Sequence, residues 1–379
     1  MPFPVRLPPP AAAVAAAAGA VLAAVALRRY LSSTRLPSAS AATPAHTSSS
    51  SAAAAATLVV FGKSPQDQEL LASAASSLVL GEGVATEELT VVLASDGRVA
   101  GMDAGFDAGA YMDALRARRF GRWMLWSPRL ASTQDIVAQN FSKLPVGVVC
   151  VADVQFKGRG RSKNVWESPP GCLMFSFTSQ IHDARKLPLM QYVVCLSMTE
   201  AIKELCRAKG LSELDVRIKW PNDLYLNGLK VGGILCTSSY QPKVYNICTG
   251  IGLNVDNEKP TTCLNAGLQE IKADSPRLKR EEIMASFFNK FENLFEIFSN
   301  QGFQVLEEQY YDSWLHSGQR VVVQDVHDGQ SGDSVVTIQG LTPAGYLYAI
   351  GLDGESYELH PDGNSFDFFK GLVRRKMEA

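Results

Sequence analysis

The residues best suited to chemistry lie between Gln155 and Trp166, in the sequence QFKGRGRSKNVW. Cations and glycines alternate at its centre: Lys157, Gly158, Arg159, Gly160 and Arg161. Glycine lets a backbone turn tightly and approach an anion, and guanidinium groups bind phosphate or carboxylate oxygens through paired hydrogen bonds. The segment therefore predicts an anion-binding loop, and Trp166 at its end can cover a purine or another flat ring.

Two other interpretations fit this loop when it is taken alone: a solvated surface loop, or a loop that contacts nucleic acid. A charged, glycine-rich loop is costly to order when it is empty. We therefore expect the loop to be mobile until an anionic ligand neutralises its charge.

A second group of polar residues begins at Lys219 and continues as WPNDLY. Pro-Asn-Asp is a turn signal, so in one interpretation Asn222 and Asp223 are hairpin residues and Lys230 is a solvated charge. In the other interpretation, the chain turns back after a few residues as a hairpin, so that Asp223 and Lys230 face one pocket. The glycines at 232–233 indicate that another group approaches this backbone closely. The local pattern leaves both interpretations open.

Two further segments have polar or glycine-rich patterns. Residues 132–135, Ser-Thr-Gln-Asp, predict a helix N-terminus at which Ser132 or Thr133 accepts hydrogen bonds from free amides. Hydroxyl groups at a helix start can also contact polar ligand groups. Residues 250–255, GIGLNV, lack the third glycine and the following helix of a phosphate loop, so they predict a strand end whose glycines clear space.

Alternating strand-like and helical runs must position these groups. Buried or alternating runs predict strands at 57–61, 89–94, 122–126, 146–156, 172–179, 216–220, 231–236 and 244–249. Apolar residues at helical spacing predict helices at 189–206 and 280–298, and a polar segment near 66–80 is a further helix candidate. After Trp314, short strands predicted at 320–324, 334–339, 346–350 and 356–359 indicate a small β-barrel appended to an α/β domain, with the boundary near Ser317.

The composition indicates an ordinary globular enzyme. The chain has 46% hydrophobic residues, 36 basic residues and 38 acidic residues. Residues 1–66 hold five basic residues and no acid, so the rest has 31 basic against 38 acidic residues, a balance of −7. The positive field of a nucleic-acid-binding protein is therefore missing. Seven cysteines without a C-x-x-C pair predict buried free thiols, and five separated histidines predict no metal-ligand spacing.

The first 56 residues differ in character from the rest. The apolar run at 11–27 is mostly alanine and sits at the lower length limit for crossing a bilayer, so we predict that it does not span one. Arg28 and Arg29 follow, and then a tract at 32–56 rich in Ser, Thr, Pro and Ala. The absence of acids is typical of organelle transit peptides, with a secretory signal and a tail without an address as alternatives. Free thiols favour a reducing or organellar interior.

Together these segments resemble biotin-protein ligases, also called holocarboxylase synthetases, and specifically the plant forms. The GRGR…W loop, the KWPNDL hairpin, the KVGGIL strand and the GIGLNV segment occur in the family's order within about residues 120–375. The resemblance implies an α+β fold, with a largely antiparallel sheet and helices similar to the class II aminoacyl-tRNA synthetase catalytic domain, plus a small C-terminal β-barrel. The predicted units are 1–56, a transit-like tail; 57–119, a small α/β region of unknown role; 120–316, the catalytic domain; and 317–379, the barrel.

The resemblance also implies roles for individual residues. Biotin contacts would come from Ser132, Thr133, Gln134, Gln155, Gly158, Arg159, Gly160, Arg161, Lys230 and Gly233. ATP contacts would come from Arg161, Trp166, Asn222 and Asn254, with Gly233 and Asn254 shaping the nucleotide pocket. Arg159 would be the cation closest to the biotin carboxylate and the α-phosphate, and Lys230 would contact the reacting oxygens. Asp223 would orient or deprotonate the incoming lysine amine, and no residue is implied as a metal ligand.

The reaction that the resemblance implies has two steps. The biotin carboxylate attacks the α-phosphate of ATP, giving biotinyl-5′-adenylate and pyrophosphate, and a carrier lysine then attacks the mixed anhydride. Cations of the chain and Mg²⁺ would stabilise the developing charge. The implied partners are biotin, ATP and the biotin carboxyl carrier domains of carboxylases such as acetyl-CoA carboxylase. The implied compartments are the chloroplast, the mitochondrion or both, with the cytosol as a further one, and we expect no nucleic acid and no stable membrane insertion.

Two departures from bacterial members of the family bear on these expectations. Ser162 and Asn164 stand where bacterial members carry additional basic residues, so the affinity and ordering of the loop are open. Bacterial repressor-type members also carry an N-terminal helix-turn-helix domain, and the sequence before residue 120 has no such pattern. Three alternatives remain: a lipoate-protein ligase of the same fold, a nucleic-acid-binding module, and a biotin sensor that transfers nothing.

Overall fold

The structure is a computed structural model that describes residues 56–79, 89–94, 105–161, 164–257, 259–327, 330–361, 364–367 and 370–375. These residues all belong to one compact unit, residues 53–379. The transit-like tail up to residue 55 and the departure at Ser162 lie outside the described residues. Among the helices of the described part, none has the length and apolar character needed to cross a membrane.

A nine-stranded sheet forms the centre of the molecule, in the order β2-β1-β3-β4-β5-β9-β8-β7-β6. Its strands are β1 (Ala56–Gly62), β2 (Leu89–Leu93), β3 (Trp123–Leu130), β4 (Val149–Gln155), β5 (Cys172–Ile181), β6 (Val216–Lys219), β7 (Asp223–Leu226), β8 (Leu229–Gln241) and β9 (Val244–Asn254). The pairs β1–β2 and β3–β4 are parallel, and the other neighbours are antiparallel. The expected largely antiparallel sheet is confirmed.

Seven α-helices accompany the two sheets in the described residues. They are α1 (Pro65–Ala75), α2 (Ala108–Ala114), α3 (Thr133–Gln139), α4 (Met190–Ala208), α5 (Leu264–Ile271), α6 (Arg280–Gln301) and α7 (Glu307–Ser313). The apolar stripe of α6 is core packing, as expected: Phe287 and Phe291 are fully buried and pack against Phe177 of β5. A smaller core on the opposite face contains Ile136 and Val137 of α3.

The C-terminal residues form a separate six-stranded sheet, in the order β13-β12-β11-β10-β15-β14. Its strands are β10 (Arg320–His327), β11 (Gln330–Leu341), β12 (Leu347–Gly351), β13 (Ser356–Leu359), β14 (Asn364–Asp367) and β15 (Leu372–Arg375). Buried hydrogen bonds connect it to the large sheet, because the Tyr192 hydroxyl of α4 donates to Gly345 O and the Trp220 indole donates to the Tyr192 hydroxyl. The small C-terminal β domain expected from the sequence is therefore present.

Several elements differ in extent from the sequence-based expectations. The helix expected over 66–80 ends at Ala75, where the hydroxyls of Ser76 and Ser77 donate to the preceding backbone carbonyls and compete with the helical ladder. Helices α2, α5 and α7 were not expected, since each has only seven or eight residues. The domain limits at 119 and 316 remain predictions, and β1 and β2 belong to the same sheet as the predicted catalytic strands.

The cysteines match the free-thiol expectation. All seven are free, six are buried, and Cys236 is half-buried. Burial raises the pKa of the Cys172 thiol to about 12 and of the Cys236 thiol to about 11. These thiols therefore remain protonated at neutral pH and fill the core as small apolar groups.

Candidate active site

One cavity of about 630 Å³ gathers most of the residues that the sequence singled out. It lies between the start of α3, the loop after β4 and the β6–β7 hairpin. The predicted site residues that line it are Ser132, Thr133, Gln134, Gln155, Arg159, Gly160, Arg161, Trp166, Asn222, Asp223, Lys230 and Gly233. Arg159 and Lys230, which are 71 positions apart in the chain, thus share one cavity.

The first turn of α3 forms one wall of this cavity. Ser132 caps the helix, as the sequence predicted, because its Oγ accepts a hydrogen bond from the Asp135 amide at 3.4 Å. Thr133 donates through its amide to Gln155 Oε1 at 2.7 Å, and its hydroxyl lies 2.8 Å from Ser176 Oγ. These bonds fix the hydroxyl and amide groups of the wall before any ligand binds.

Gln134 presents an unused acceptor inside the cavity. Its Nε2 donates to Thr237 Oγ1 at 3.1 Å and to Cys248 O at 3.2 Å, while its buried Oε1 has no hydrogen-bond partner among the described residues. A Cβ placed on Gly250 would lie 2.5 Å from that Oε1, so the glycine makes room for the amide. A buried acceptor without a partner is unfavourable, and a ligand with an N–H donor would satisfy it.

Local backbone bonds shape the loop after β4. Gly160 N donates to Asn164 O at 2.8 Å, and Trp166 N donates to Gly158 O at 3.0 Å. Gly158 itself is absent from the cavity lining, and a Cβ there would lie 2.5 Å from Trp166 O. Its glycine is therefore required for the close approach of two backbone segments, and direct biotin contact by Gly158 remains a prediction.

The two arginines of the loop bind different elements. Arg159 Nε lies 3.0 Å from Asp135 Oδ1, and the Arg159 side chain is 61% exposed. Arg161 Nη1 donates to Asn222 Oδ1 at 3.0 Å, which joins the loop to the β6–β7 hairpin. The loop therefore bridges the mouth of the cavity from α3 to the hairpin.

The β7–β8 hairpin brings an acid and a cation together, in agreement with one of the two sequence interpretations. Asp223 Oδ1 lies 2.7 Å from Lys230 Nζ, and Lys219 pairs with Asp223 across β6 and β7. A register shift between Leu224 and Tyr225 lets β8 carry Lys230 to the same face as Asp223. The ion pair and the position of Lys230 in the cavity lining favour the interpretation in which Asp223 and Lys230 face one pocket.

Trp166 packs into a groove that two glycines leave open. Added Cβ atoms would lie 2.5 Å from the Trp166 ring at Gly252 and 3.5 Å from it at Gly233. Lys230 Nζ lies 5.5 Å from the centre of a Trp166 ring, within range of a cation–π contact. The expectation that the glycines of residues 250–255 clear space is confirmed.

Asn254 lies outside the cavity lining. Its Nδ2 donates to Thr261 Oγ1 at 3.3 Å, and its Oδ1 accepts from the Cys172 thiol at 3.2 Å. The residue thus ties the end of β9 to β5 and to the following loop. A part for Asn254 in nucleotide binding remains a prediction.

Lys219 is a cavity residue to which the sequence assigned no role. Burial lowers the pKa of its ammonium group, and the nearby Asp223 carboxylate opposes that change. Its alternation with the buried Ile218 is the signal that could have placed it on the cavity side of β6. Ser176, Glu167 and Pro361 also line the cavity, and Pro361 comes from the C-terminal domain.

A buried histidine supports the hairpin from behind. His316 Nε2 accepts the Trp220 backbone N–H at 2.9 Å, and its Nδ1 lies 3.0 Å from Gln319 Oε1. Burial lowers the pKa of His316 to about 4, so its ring is neutral at neutral pH and Nε2 can accept. No pattern in the sequence predicts this contact, because the two residues are 96 positions apart.

Two segments of the chain match known protein families. Residues 126–254 match the Biotin/lipoate A/B protein ligase family, and residues 316–371 match the Biotin protein ligase C terminal domain. The first segment contains the α3 wall, the loop and the hairpin, and the second contains the six-stranded sheet.

Individual relatives agree with these matches. The chain is 56% identical over 324 residues to "Biotin--protein ligase 1, chloroplastic" of Arabidopsis thaliana, which covers 84% of this chain and 88% of that protein. It is also 56% identical over 322 residues to "Biotin--protein ligase 2" of the same plant, covering 84% and 98%. The apo structure of biotin protein ligase from Aquifex aeolicus has the same fold, with a TM-score of 0.50 and 22% identity, over 67% of this chain and 99% of that one. The chain belongs to the biotin-protein ligase family.

Proposed function

We propose that this chain joins biotin to a lysine of biotin carboxyl carrier domains, using ATP, in the cavity described above. The observation that carries the proposal is the shared cavity of Arg159 and Lys230, within a chain that belongs to this family. Two anions, a carboxylate and a triphosphate, must approach each other in the first step. Cations fixed on opposite walls are what that approach requires.

Biotin is proposed to bind against the first turn of α3. A cyclic urea has N–H donors and a carbonyl acceptor, and this wall offers both kinds of partner. Gln134 Oε1 is an unused acceptor, while the Thr133 and Ser132 hydroxyls can donate or accept. Gln155 would support the ring from β4, and Gly160 and Gly233 would leave room for the bicyclic body and side chain.

The first chemical step would form one bond and break another at the α-phosphate. A biotin carboxylate oxygen attacks the α-phosphorus, the bond to the β-phosphate oxygen breaks, and pyrophosphate leaves with the electron pair. Arg159 and Lys230 would hold the carboxylate and phosphate oxygens, and stabilisation of this kind lowers a barrier by several kcal/mol. No nucleophile of the enzyme takes part, in keeping with the absence of any Ser-His or Cys-His pattern in the sequence.

The second step would use Asp223. The free lysine amine of the carrier attacks the carbonyl carbon of the mixed anhydride, AMP leaves, and the nitrogen gives up a proton. Asp223 Oδ1 lies 2.7 Å from Lys230 Nζ, so this carboxylate is engaged by the cation that is proposed to hold the phosphate oxygens. Phosphate oxygens that engage Lys230 would weaken this pair, so Asp223 becomes available to the amine when the adenylate is in place.

ATP is proposed to lie between Trp166, Arg161 and Asn222. The indole offers a flat surface for adenine, and the Arg161–Asn222 hydrogen bond places a guanidinium beside the hairpin turn. The described residues contain no group of three or more His, Cys, Asp or Glu side chains that could hold a metal ion. Mg²⁺ is proposed to arrive as MgATP, in which it offsets the charge of the phosphates.

Lipoate is the rival acyl substrate, since the family that matches residues 126–254 includes lipoate ligases by its description. The match of residues 316–371 to the biotin protein ligase C-terminal domain favours biotin. The 56% identity to two biotin--protein ligases favours a ligase over a nucleic-acid-binding module or a non-catalytic biotin sensor.

The cellular compartment of this chain is also a proposal. One relative that is 56% identical carries the word chloroplastic in its name, and residues 1–66 of this chain contain no acid. We propose that the chain is imported into chloroplasts, where carriers such as that of acetyl-CoA carboxylase would be its acceptors. The mitochondrion and the cytosol remain predictions.

The proposed function can be tested by measuring the mass of an acceptor domain before and after the reaction. A purified biotin carboxyl carrier domain is incubated with this protein, biotin and MgATP, and its intact mass is measured. The expected result is the addition of one biotinyl group, and a carrier with its acceptor lysine replaced by arginine is the control. Addition of lipoyl in place of biotinyl when both acids are present, or no addition at all, would contradict the proposal.

A further inference from the structure

Asp135 places a negative charge beside a cavity that is proposed to bind two anions. It occupies the first turn of α3, directly after the cavity residues Ser132, Thr133 and Gln134. Its side chain is 26% exposed, and its Oδ1 lies 3.0 Å from Arg159 Nε. A carboxylate at the edge of a cavity for two anions repels both of them unless a cation neutralises it.

The electrostatics of Asp135 agree with such a pairing. Burial raises the pKa of its carboxyl group, while Arg159 and, more weakly, Lys157 act in the opposite direction. Two of the three cations of the loop therefore face this one carboxylate. Ionised Asp135 is held in place by the loop, and the loop is in turn held by Asp135.

The geometry of the ion pair leaves most of the guanidinium free for another anion. Arginine has five N–H donors in a rigid fork, one on Nε and four on the two terminal nitrogens. Asp135 engages Nε, and Arg159 itself lines the cavity. The terminal nitrogens are the ones that form paired hydrogen bonds with carboxylate or phosphate oxygens.

We propose that Asp135 is a positioning residue, which holds Arg159 through Nε so that its terminal nitrogens face the biotin carboxylate and the α-phosphate. The inference rests on the proposed function, because it assigns Asp135 a role in adenylate formation. Asp135 touches neither substrate. It acts by removing rotational freedom from a side chain that is otherwise 61% exposed.

Two other roles for Asp135 lead to different results. An acid in the first turn stabilises a helix by its interaction with the helix dipole, and that effect is independent of Arg159. Asp135 could instead compete with substrates for Arg159, in which case its removal would speed the first step. A double-mutant cycle separates these roles from positioning.

The experiment measures biotin-dependent exchange of pyrophosphate into ATP for the full chain, its Asp135→Asn variant, Arg159→Ala and the double variant. Asp135→Asn is expected to lower kcat about tenfold, less than the loss of Arg159 itself, with KM for ATP changed less than about threefold. In the Arg159→Ala background, the same substitution is expected to change kcat less than about twofold. Asp183→Asn is the matched control, because it breaks an Asp–Arg pair at 2.8 Å whose two residues do not line this cavity.

Each outcome bears on the proposal. A kcat for Asp135→Asn equal to or above that of the unmodified chain overturns it, as does an effect of equal size with and without Arg159. If Asp135→Asn does not fold, as judged from its melting temperature, Asp135→Ser keeps a residue suited to a helix start and takes its place. Failure of the unmodified chain to exchange pyrophosphate contradicts the proposed function instead, so the two failures are distinguishable.

Discussion

The two cation-bearing walls of the cavity are built in different ways. The loop wall presents Arg159 on a side chain that is 61% exposed, held by one ion pair and by backbone bonds within the loop. The hairpin wall presents Lys230 from β8, 37% exposed, against an Asp223 side chain that is 20% exposed. Behind the hairpin, the fully buried His316 accepts a hydrogen bond from Trp220.

This difference indicates how the two walls share the work of binding. A group fixed by strands loses little freedom when a ligand arrives, whereas an exposed arginine loses side-chain entropy that can reach about 2 kcal/mol. The hairpin therefore supplies a preformed cation, and the loop supplies one whose contribution depends on how well it is held. Substitutions on the two walls should differ in which kinetic constant they change.

The largest effect is expected for Lys230→Ala. The substitution removes the preformed cation and leaves the Asp223 carboxylate facing the bound anions without its partner. We expect the kcat of pyrophosphate exchange to fall about 10²- to 10³-fold, as for loss of one preorganised donor to a developing charge. The exposed Lys272 provides the control variant, Lys272→Ala. Exchange within a factor of ten of the unmodified rate would remove Lys230 from the proposed mechanism.

Arg159→Ala is expected to have a somewhat smaller effect, of about 10²-fold on kcat/KM. An increase in KM should account for a larger share of this loss than it does for Lys230→Ala, because substrate binding must order the arginine side chain. Steady-state kinetics over a range of biotin and ATP concentrations measures that division. The control is Arg185→Ala, at a side chain that is 90% exposed. If the loss of kcat/KM were divided between kcat and KM in the same way for both variants, the proposed difference between a preformed and a mobile cation would be wrong.

The contact between the walls can be weakened at Gly252. A Cβ at this position would lie 2.5 Å from the Trp166 ring, so Gly252→Ala must displace the indole that joins loop and sheet. Because base–aromatic stacking contributes about 1–3 kcal/mol, we expect about tenfold weaker ATP binding by calorimetry. Gly109→Ala is the control, since an added Cβ there would meet Asp107 Oδ1 at an ordinary contact distance of 3.4 Å. Unchanged ATP affinity in Gly252→Ala would show that Trp166 does not cover the nucleotide.

The structural positions of residues that lie close together in the chain could be predicted from the sequence. Ser132 as a helix cap follows from its type and from the apolar run after it. The hairpin over 219–226 follows from its turn residues, and the close approach to residues 250–252 follows from glycines within a strand. The order of four motifs then gave the family and, with it, the fold and the activity.

Contacts between distant segments could not be placed in this way. The Asp135–Arg159 ion pair depends on how a loop folds back over a helix, and the Trp220–His316 bond depends on the docking of the C-terminal domain. Neither leaves a periodic pattern in the chain. Lys219 was missed for a different reason: its alternation with the buried Ile218 indicated the cavity side of β6, but a lysine at a strand end is usually solvated.

The smallest expected effect concerns the stability of the hairpin wall in acid. Above pH 6.5, the ordinary pKa of histidine, His316 is mostly neutral in both the folded and the unfolded chain. As the pH falls, the unfolded chain takes up a proton there, while the folded chain does so only near its pKa of about 4. Stability from this group is therefore lost between pH 6.5 and about 4, by about 1 kcal/mol over the first unit.

His316→Asn removes the titrating ring, so its urea midpoint should vary less with pH across this window than that of the unmodified chain. The exposed His182 supplies the control, and His182→Asn should keep the full pH dependence. The effect belongs to the hairpin wall because the His316 ring accepts the Trp220 N–H, and a protonated Nε2 can no longer accept it. Equal pH dependence in His316→Asn and the unmodified chain would mean that the ring is accessible to protons in the folded state. The hairpin wall would then not be the more rigid of the two walls.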